Sequence, residues 1–254
     1  MEAYPATETY PDYASALKHC GEGYDDRLLA EVTLAKTRAI LSSDLKTALH
    51  PPNSDATLTG VSLIPGREAR ILDFGGSFGP HYFLAKQCLP KRYRWAVVET
   101  EVIATLGAQI ANEELQFFTS IEAAREWLGG IDLVHASGSL QCTPQPKEFL
   151  SALVALRAPY LAVTRTAVAL GRECVTIQVS LLSGNGPVSG LPPGVEDRIV
   201  RYPRIFMAKA DFLGTIDRQY RPLYQSWDSR EGPLIADGVE LCLGDNFVFG
   251  RRDI

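Results

Sequence analysis

The stretch ILDFGGSFGPHYF, Ile71 to Phe83, decides how the rest of the chain is read. An apolar run reaches Asp73; Gly75, Gly76 and Gly79 then crowd a few positions, and Pro80 sits where a helix would begin. Pro favours the first helical position because its missing N–H is not needed there. Glycines at a strand-to-helix turn let a bound molecule approach the backbone closely. The ligand classes to separate are a dinucleotide, a nucleotide phosphate, and a molecule recognised without phosphate.

Outward from this turn, short apolar runs alternate with helical patterns. ARILDF precedes PHYFLAKQCL, YRWAVVE precedes VIATLGAQIANE, and LQFFT precedes IEAAREWL. IDLVHAS precedes PKEFLSALVAL, and PYLAVTRT closes the series. Strands that are apolar throughout and separated by helices predict a parallel sheet covered on both faces. YRPLYQSW and DNFVFG, near the end of the chain, predict an antiparallel hairpin added to that sheet. Ahead of the series, residues 1–68 predict a helical cap. Asp25 and Asp26 start a helix expected to reach Ala48, Leu28, Val32, Ala35 and Ala39 recur at helical spacing, and Pro51-Pro52 ends it. The stretch NSDATLTG is expected to be a polar connection. Residues 69–254 form the second unit, with an insertion at about 167–204. Within it SGNGPVSGLPPG, residues 183–194, cannot be regular structure, and is either a lid over the site or a surface excursion.

Composition narrows the function classes. The chain has 254 residues, 46% hydrophobic and 22% charged, with a net charge of −5. The basic residues do not cluster, which argues against a nucleic-acid partner. No apolar run approaches the ~20 residues that span a bilayer, and MEAYPATETYPDY lacks the basic-then-apolar pattern of a signal peptide. Five scattered cysteines without a CxxC pair argue against a disulfide framework or a zinc site, and each is expected to be a small buried hydrophobe in a reducing cytoplasm.

The glycine turn lacks the Gly-Lys-Ser/Thr of a P-loop. It also departs from G-x-G-x-x-G, since Ser77 and Pro80 stand where that fingerprint has its later glycines. Asp73-x-Gly75-x-Ser77-x-Gly79 resembles the first motif of class I S-adenosylmethionine-dependent methyltransferases, acidic-x-Gly-x-Gly-x-Gly, with Ser77 at the middle glycine. That sulfonium cofactor carries no phosphate and needs no lysine. Glu99, twenty positions after Gly79 at the end of the next strand, is placed to accept hydrogen bonds from ribose hydroxyls. The same feature occurs in NAD-binding folds, so it indicates a ribose more than a particular cofactor.

The succession ILDFGGSFG, RWAVVE, LQFFTSIEAA, DLVHASGSLQC, YLAVTRT and VTIQV, with YASALKHCGEGYDDRLL before it and YPRIF after it, resembles one family of bacterial proteins read as methyltransferases. Its genes often stand beside polysaccharide or secondary-metabolite genes. The resemblance implies a seven-stranded Rossmann-like sheet with an antiparallel C-terminal hairpin, S-adenosylmethionine as cofactor, and a small-molecule substrate. The chain departs from that family at Gly138, at Cys142 and after Gln178.

Ligands gather at the carboxyl ends of strands in such a sheet. The expected cofactor-binding residues are Asp73, Gly75, Gly76, Ser77, Glu99, Ser120, Ser137 and Ser139. Ser120 reads equally as a helix N-cap, and His135, inside an apolar run, reads as a satisfied core histidine. The residues expected nearest the chemistry are Tyr24, Gln141, Arg165, Gln178 and Tyr202. Arg165 ends an apolar strand and needs a carboxylate, from a ligand or from the protein, and aromatic faces suit a sulfonium. No metal site and no catalytic base is recognisable. Three functions stay open: methyl transfer to a small molecule; cyclisation of the cofactor to azetidine-2-carboxylate and methylthioadenosine, as in known synthases with this fold; and a cofactor-binding scaffold without catalysis.

Overall fold

The computed structural model describes residues 8–42, 54–228, 234–236 and 239–253. Each predicted strand–helix pair forms. β2 (Glu68–Phe74) leads to α4 (Pro80–Cys88), β3 (Arg92–Val98) to α5 (Glu101–Gly107), and β4 (Leu115–Phe118) to α6 (Ile121–Leu128). β5 (Leu133–Ser137) leads to α7 (Pro146–Ala155), and β6 (Tyr160–Ala169) follows. Further on come α8 (Lys209–Ile216), β9 (Tyr220–Trp227), β10 (Leu234–Ala236) and β11 (Val239–Arg251). The main strands are ordered β4-β3-β2-β5-β6-β11-β9. β2 to β6 are parallel, and β11 runs antiparallel between β6 and β9. The short β10 adds an eighth strand, paired with β11 beyond the end of β9.

Alternation along each strand feeds two cores. Leu72, Val98, Val134, Leu161 and Phe249 pack with Leu150 and Leu153 of α7 and Phe212 of α8. Ile71, Trp95, Val97, Leu133 and Val248 face the opposite layer, with Tyr82 and Ala85 of α4. This is the double coverage that strands apolar at every position require.

The polar connection expected over NSDATLTG is instead a helix, α3 (Ser54–Leu63). Asn53 lies outside the described residues. Ala56, Thr57, Gly60 and Val61 are buried against the sheet. A Cβ on Gly60 would make ordinary van der Waals contact with Ala162 and Leu133 at 3.5 Å, so this face of the helix lies directly on β5 and β6. Residues 54–63 therefore cover the core, and the expected 1–68 cap is separate only in its first part.

That part contains β1 (Thr9–Tyr10), α1 (Tyr13–Leu17) and α2 (Arg27–Ser42). Asp26 caps α2 as the sequence predicts, its Oδ1 accepting the Leu29 N–H at 3.1 Å. The expected end at Ala48 and Pro51-Pro52 lies outside the described residues. The insertion after β6 is the hairpin β7 (Cys174–Leu181) and β8 (Ile199–Phe206), and β1 joins it in a three-stranded antiparallel sheet. β6 runs on through Ala169, so Arg165 lies inside the strand and does not end it, as the sequence reading had it.

Cap and hairpin hold each other. Leu29 and Val32 of α2 pack with Leu182, Val200 and Tyr202, and the buried Asp26 is paired with Arg198. Residues 183–194 form no strand; Lys36, 5% exposed on α2, donates from Nζ to the Ser183 carbonyl at 2.9 Å and the Asn185 carbonyl at 2.5 Å. Burial pushes its ammonium pKa down. The four described cysteines, Cys20, Cys88, Cys142 and Cys174, are free thiols, and Cys88 is exposed where burial was expected. The Cys242 side chain lies outside the described residues. Among the described residues no helix is long and apolar enough to cross a membrane.

Lys36→Met removes both donors while keeping most of the apolar stem. Limited proteolysis should then cut within 183–194 at least several-fold faster, with the thermal transition lowered by about 1–3 kcal/mol of stability. Unchanged cleavage would show that the loop is held by other contacts.

Candidate functional site

Strand order reverses at β2: the chain moves outward to β3 and β4, then returns to place β5 on the other side. The crevice at such a switch point, at the carboxyl ends of the strands, is where open α/β sheets bind ligands. The glycine turn occupies it.

Asp73 lies beneath the turn, fully buried. Its Oδ2 accepts the Trp95 indole N–H at 2.9 Å, and its Oδ1 is 2.7 Å from His135 Nδ1. His135 Nε2 in turn is 2.9 Å from the Thr57 hydroxyl on α3. The pairing with His135 lowers the Asp73 pKa against the opposing effect of burial. Both carboxylate oxygens are thus engaged inside the protein, and Asp73 supports the turn from below. A Cβ on Gly76 would come within 2.4 Å of Asp73 Oδ2, so the backbone can cross the carboxylate only as glycine.

Gly75 has φ +67°, and a Cβ there would lie 2.2 Å from the Ser139 Cβ. Ser139 donates its hydroxyl to the Phe74 carbonyl at 2.6 Å, which draws the segment after β5 against the turn. Gly75 is therefore required by packing against Ser139 as well as by its backbone conformation. Ser77 also has positive φ, +50°, and its N–H donates to Glu99 Oε1 at 2.8 Å. Glu99 Oε2 accepts the Thr100 N–H at 3.0 Å. An ionised carboxylate has about four acceptor positions, so capacity remains for two hydroxyl donors. Burial raises the Glu99 pKa to about 7. The residue keeps a partly exposed edge, and water there screens part of that effect.

Phe78 turns from the glycine segment into a cluster with Ala30 and Leu34 of α2 and Ile103 of α5, which seats the cap on the turn. The residues expected nearest the chemistry divide. Tyr24 packs on Tyr202 with the rings tilted by 41° and their centroids 4.2 Å apart, and Gln178 is the cross-strand partner of Tyr202. The Tyr24 hydroxyl lies 3.6 Å from Cys142 Sγ, which also lies 3.4 Å from the Gly138 carbonyl, so this group meets the segment after β5. Burial raises the Tyr24 pKa well above its ordinary value. Gln141 is committed to the fold, accepting the Ala167 N–H at 3.0 Å. Ser120 caps α6, accepting the Ala123 N–H at 3.2 Å. Arg165 has φ +50° at a bulge where Asn246 Oδ1 accepts its N–H at 2.8 Å, and its guanidinium carbon lies within 3.5 Å of where a Gly138 Cβ would stand.

His81, in the first turn of α4, was not singled out from the sequence. It is 5% exposed, its ring meets His135 edge-on at 4.7 Å, and neither ring nitrogen has a hydrogen-bond partner. Burial pushes its pKa down to about 3, so the ring is neutral. The Ser137 and Thr164 hydroxyls, cross-strand partners at the next rung, are likewise buried and unpartnered, as is the Thr100 hydroxyl. Asp73, His81 and His135 are of metal-ligating type and lie close together. Both His135 nitrogens are engaged with Asp73 and Thr57, and both Asp73 oxygens with His135 and Trp95, so these two belong to a hydrogen-bond network that His81 only borders.

The strand order, with an antiparallel strand inserted before the last parallel one, is that of the class I methyltransferase sheet. No family model matches the chain, and no curated protein matches it. Among solved structures, the N-terminal domain of EvdMO1 with SAH bound is 17% identical over 82% of this chain and 84% of its own, with a TM-score of 0.47. The 1,6-didemethyltoxoflavin-N1-methyltransferase of Burkholderia thailandensis is 15% identical over 90% and 88%, TM-score 0.45. An S-adenosylmethionine-dependent methyltransferase from Clostridium acetobutylicum is 9% identical over 85% and 98%, TM-score 0.48. The fold assignment rests on the strand order itself.

The Glu99 environment predicts a pH signature. Its folded-state pKa of about 7 lies above the ordinary 4.5, so protonation favours the folded state. The resulting stability is full below pH 4.5 and lost as pH rises through 7. Relative to the parent, Glu99→Gln should gain stability between pH 4.5 and 7, reaching at most about 3 kcal/mol, and hold that gain above 7. A pH-independent difference in thermal unfolding would place the carboxylate in water.

Proposed function

We propose that the chain binds S-adenosylmethionine at the carboxyl ends of β2, β3 and β5 and uses it to alkylate a small molecule. The observation that carries this reading is Glu99: a carboxylate beside a phosphate-free glycine turn, held by the Ser77 and Thr100 N–H groups with two acceptor positions left for ribose hydroxyls. The unpartnered hydroxyls of Thr100, Ser137 and Thr164 along the same strand ends fit a polar ligand, since buried polar groups are ordinarily satisfied.

Gly75 and Gly76 would bring the backbone to the ligand, Ser77 would fix Glu99, and Tyr24 with Tyr202 would present aromatic faces to a cation. Ser120 and Ser139 would border the site while serving the fold, and Arg165, beside Gly138, would face a ligand carboxylate. Gln141 acts through the backbone of β6, and Gln178 supports Tyr202. The sulfonium supplies its own activated carbon and leaving group. The protein's task is then to position the nucleophile and exclude water, and the cap seated on Phe78 serves that task. We read the setting as cytoplasmic secondary metabolism, on the family resemblance alone.

A second reading, intramolecular cyclisation to azetidine-2-carboxylate and methylthioadenosine, draws support from how closed the site is. Asp25 of the cap is close enough to raise the Glu99 pKa further, and Tyr24 and Tyr202 are already in contact. Incubation with S-adenosylmethionine separates the readings. Methyl transfer predicts S-adenosylhomocysteine only when an acceptor is supplied, and cyclisation predicts methylthioadenosine from the cofactor alone. Tight binding without either product indicates a scaffold. Tighter binding of NAD or ATP than of S-adenosylmethionine overturns the cofactor assignment.

A further inference from the structure

A second cleft lies where the cap meets the hairpin. It has a volume of about 280 Å³ and is lined by residues 21–23 and Asp26 on the cap side and by residues 198–201 on the hairpin side. No residue of the glycine turn lines it. Sites for drug-sized ligands run from ~300 to 1,000 Å³, so this one suits a small metabolite.

One wall of the cleft is main chain. β8 is an edge strand of the three-stranded sheet. In an antiparallel pair, successive residues turn their N–H and C=O groups to opposite sides. The Arg198 carbonyl accepts the Leu182 N–H at 2.8 Å, which directs residues 198 and 200 toward β7. Ile199 and Arg201 therefore turn theirs to the open edge, and among the described residues nothing bonds to them there. The wall thus offers both donors and acceptors.

Four charged side chains line the cleft. Asp26 and Arg198 are paired with each other. The side chains of Glu22 and Arg201 are at exposed positions and make no ion pair or hydrogen bond among the described residues. An anion would gain Arg201 but stand against Glu22 and Asp26. A cation would gain Glu22 but stand against two guanidiniums. A small molecule carrying both charges answers both, and a guanidinium takes a carboxylate through two parallel hydrogen bonds. Ile199, 50% exposed on the same wall, adds an apolar surface.

We propose that this cleft binds a zwitterionic α-amino acid with an aliphatic side chain. Its carboxylate meets Arg201, its ammonium meets Glu22 and the edge carbonyls of β8, and its side chain lies against Ile199. The site is separate from the one proposed for the nucleoside and does not rest on that assignment. One wall belongs to the cap and the other to the hairpin, and a Cβ on Gly23 would lie 3.7 Å from the Tyr202 Cβ. An occupant therefore ties cap to hairpin beside the Tyr24–Tyr202 contact.

Calorimetric titration of the full chain with L-leucine tests this. 3-Methylbutylamine and 4-methylpentanoate carry the same skeleton with one charge each. The proposal predicts that L-leucine binds and that each single-charge analogue binds about tenfold more weakly or less. Arg201→Gln and Glu22→Gln, both at exposed positions, should each weaken L-leucine about tenfold while leaving the thermal transition of the free protein unchanged. Saturating S-adenosylhomocysteine should leave L-leucine binding intact. No binding at millimolar L-leucine, an analogue that binds as tightly, or unchanged affinity in either variant overturns the proposal. Competition with S-adenosylhomocysteine also overturns it, by placing L-leucine in the nucleoside site.

Discussion

The Asp73 carboxylate is the constraint on which the site depends. It is fully buried, and it is tolerated because Trp95 and His135 together satisfy both oxygens. Those two bonds tie three neighbouring strands, β3, β2 and β5, at the place where strand order reverses. The Thr57 hydroxyl extends the chain to α3, so one hydrogen-bonded line crosses the sheet and one of its helical layers. Replacing one partner would strand a buried charge, and this is among the costlier changes a core can suffer.

The glycine turn inherits its shape from that line. Gly76 passes over Asp73 with no room for a methyl group, and Gly75 is pressed against Ser139 in the same way. With the backbone held from both sides, the Ser77 N–H is delivered to Glu99. Phe78 then carries the turn's position outward to α2, and α2 carries it to the hairpin through Lys36, Asp26 and the Tyr24–Tyr202 contact. The cap is thus positioned by the same few residues that shape the ligand crevice.

Much of this was legible in the sequence. The strand–helix alternation, the terminal antiparallel pair, the start of α2 at Asp26 and the irregular 183–194 segment each follow from local pattern. The position of Glu99 beside the glycine turn was legible because its spacing from Gly79 reflects one strand–helix unit. The roles of Asp73 and Gly75 were not, because a motif names residue types without saying which face of the backbone they serve. α3 was missed because SDATLTG has polar, weakly helical residues, and its helix is fixed by burial of Ala56, Thr57, Gly60 and Val61 against the sheet. His81 lay inside the decisive stretch and went unread, since only the crossing of α4 over β5 brings it to His135. Lys36 left a faint signal: a lysine on the buried face of an amphipathic helix asks for carbonyl partners, and the loop provides them.

The central claim is that a nucleoside sits on this preformed turn and is held by Glu99. A crystal structure of the protein with S-adenosylhomocysteine measures it most directly. The account predicts both ribose hydroxyls within hydrogen-bond distance of the Glu99 carboxylate, with Asp73 still bonded to Trp95 and His135. A nucleoside bound elsewhere, or an Asp73 carboxylate turned out to meet the ligand, would contradict it.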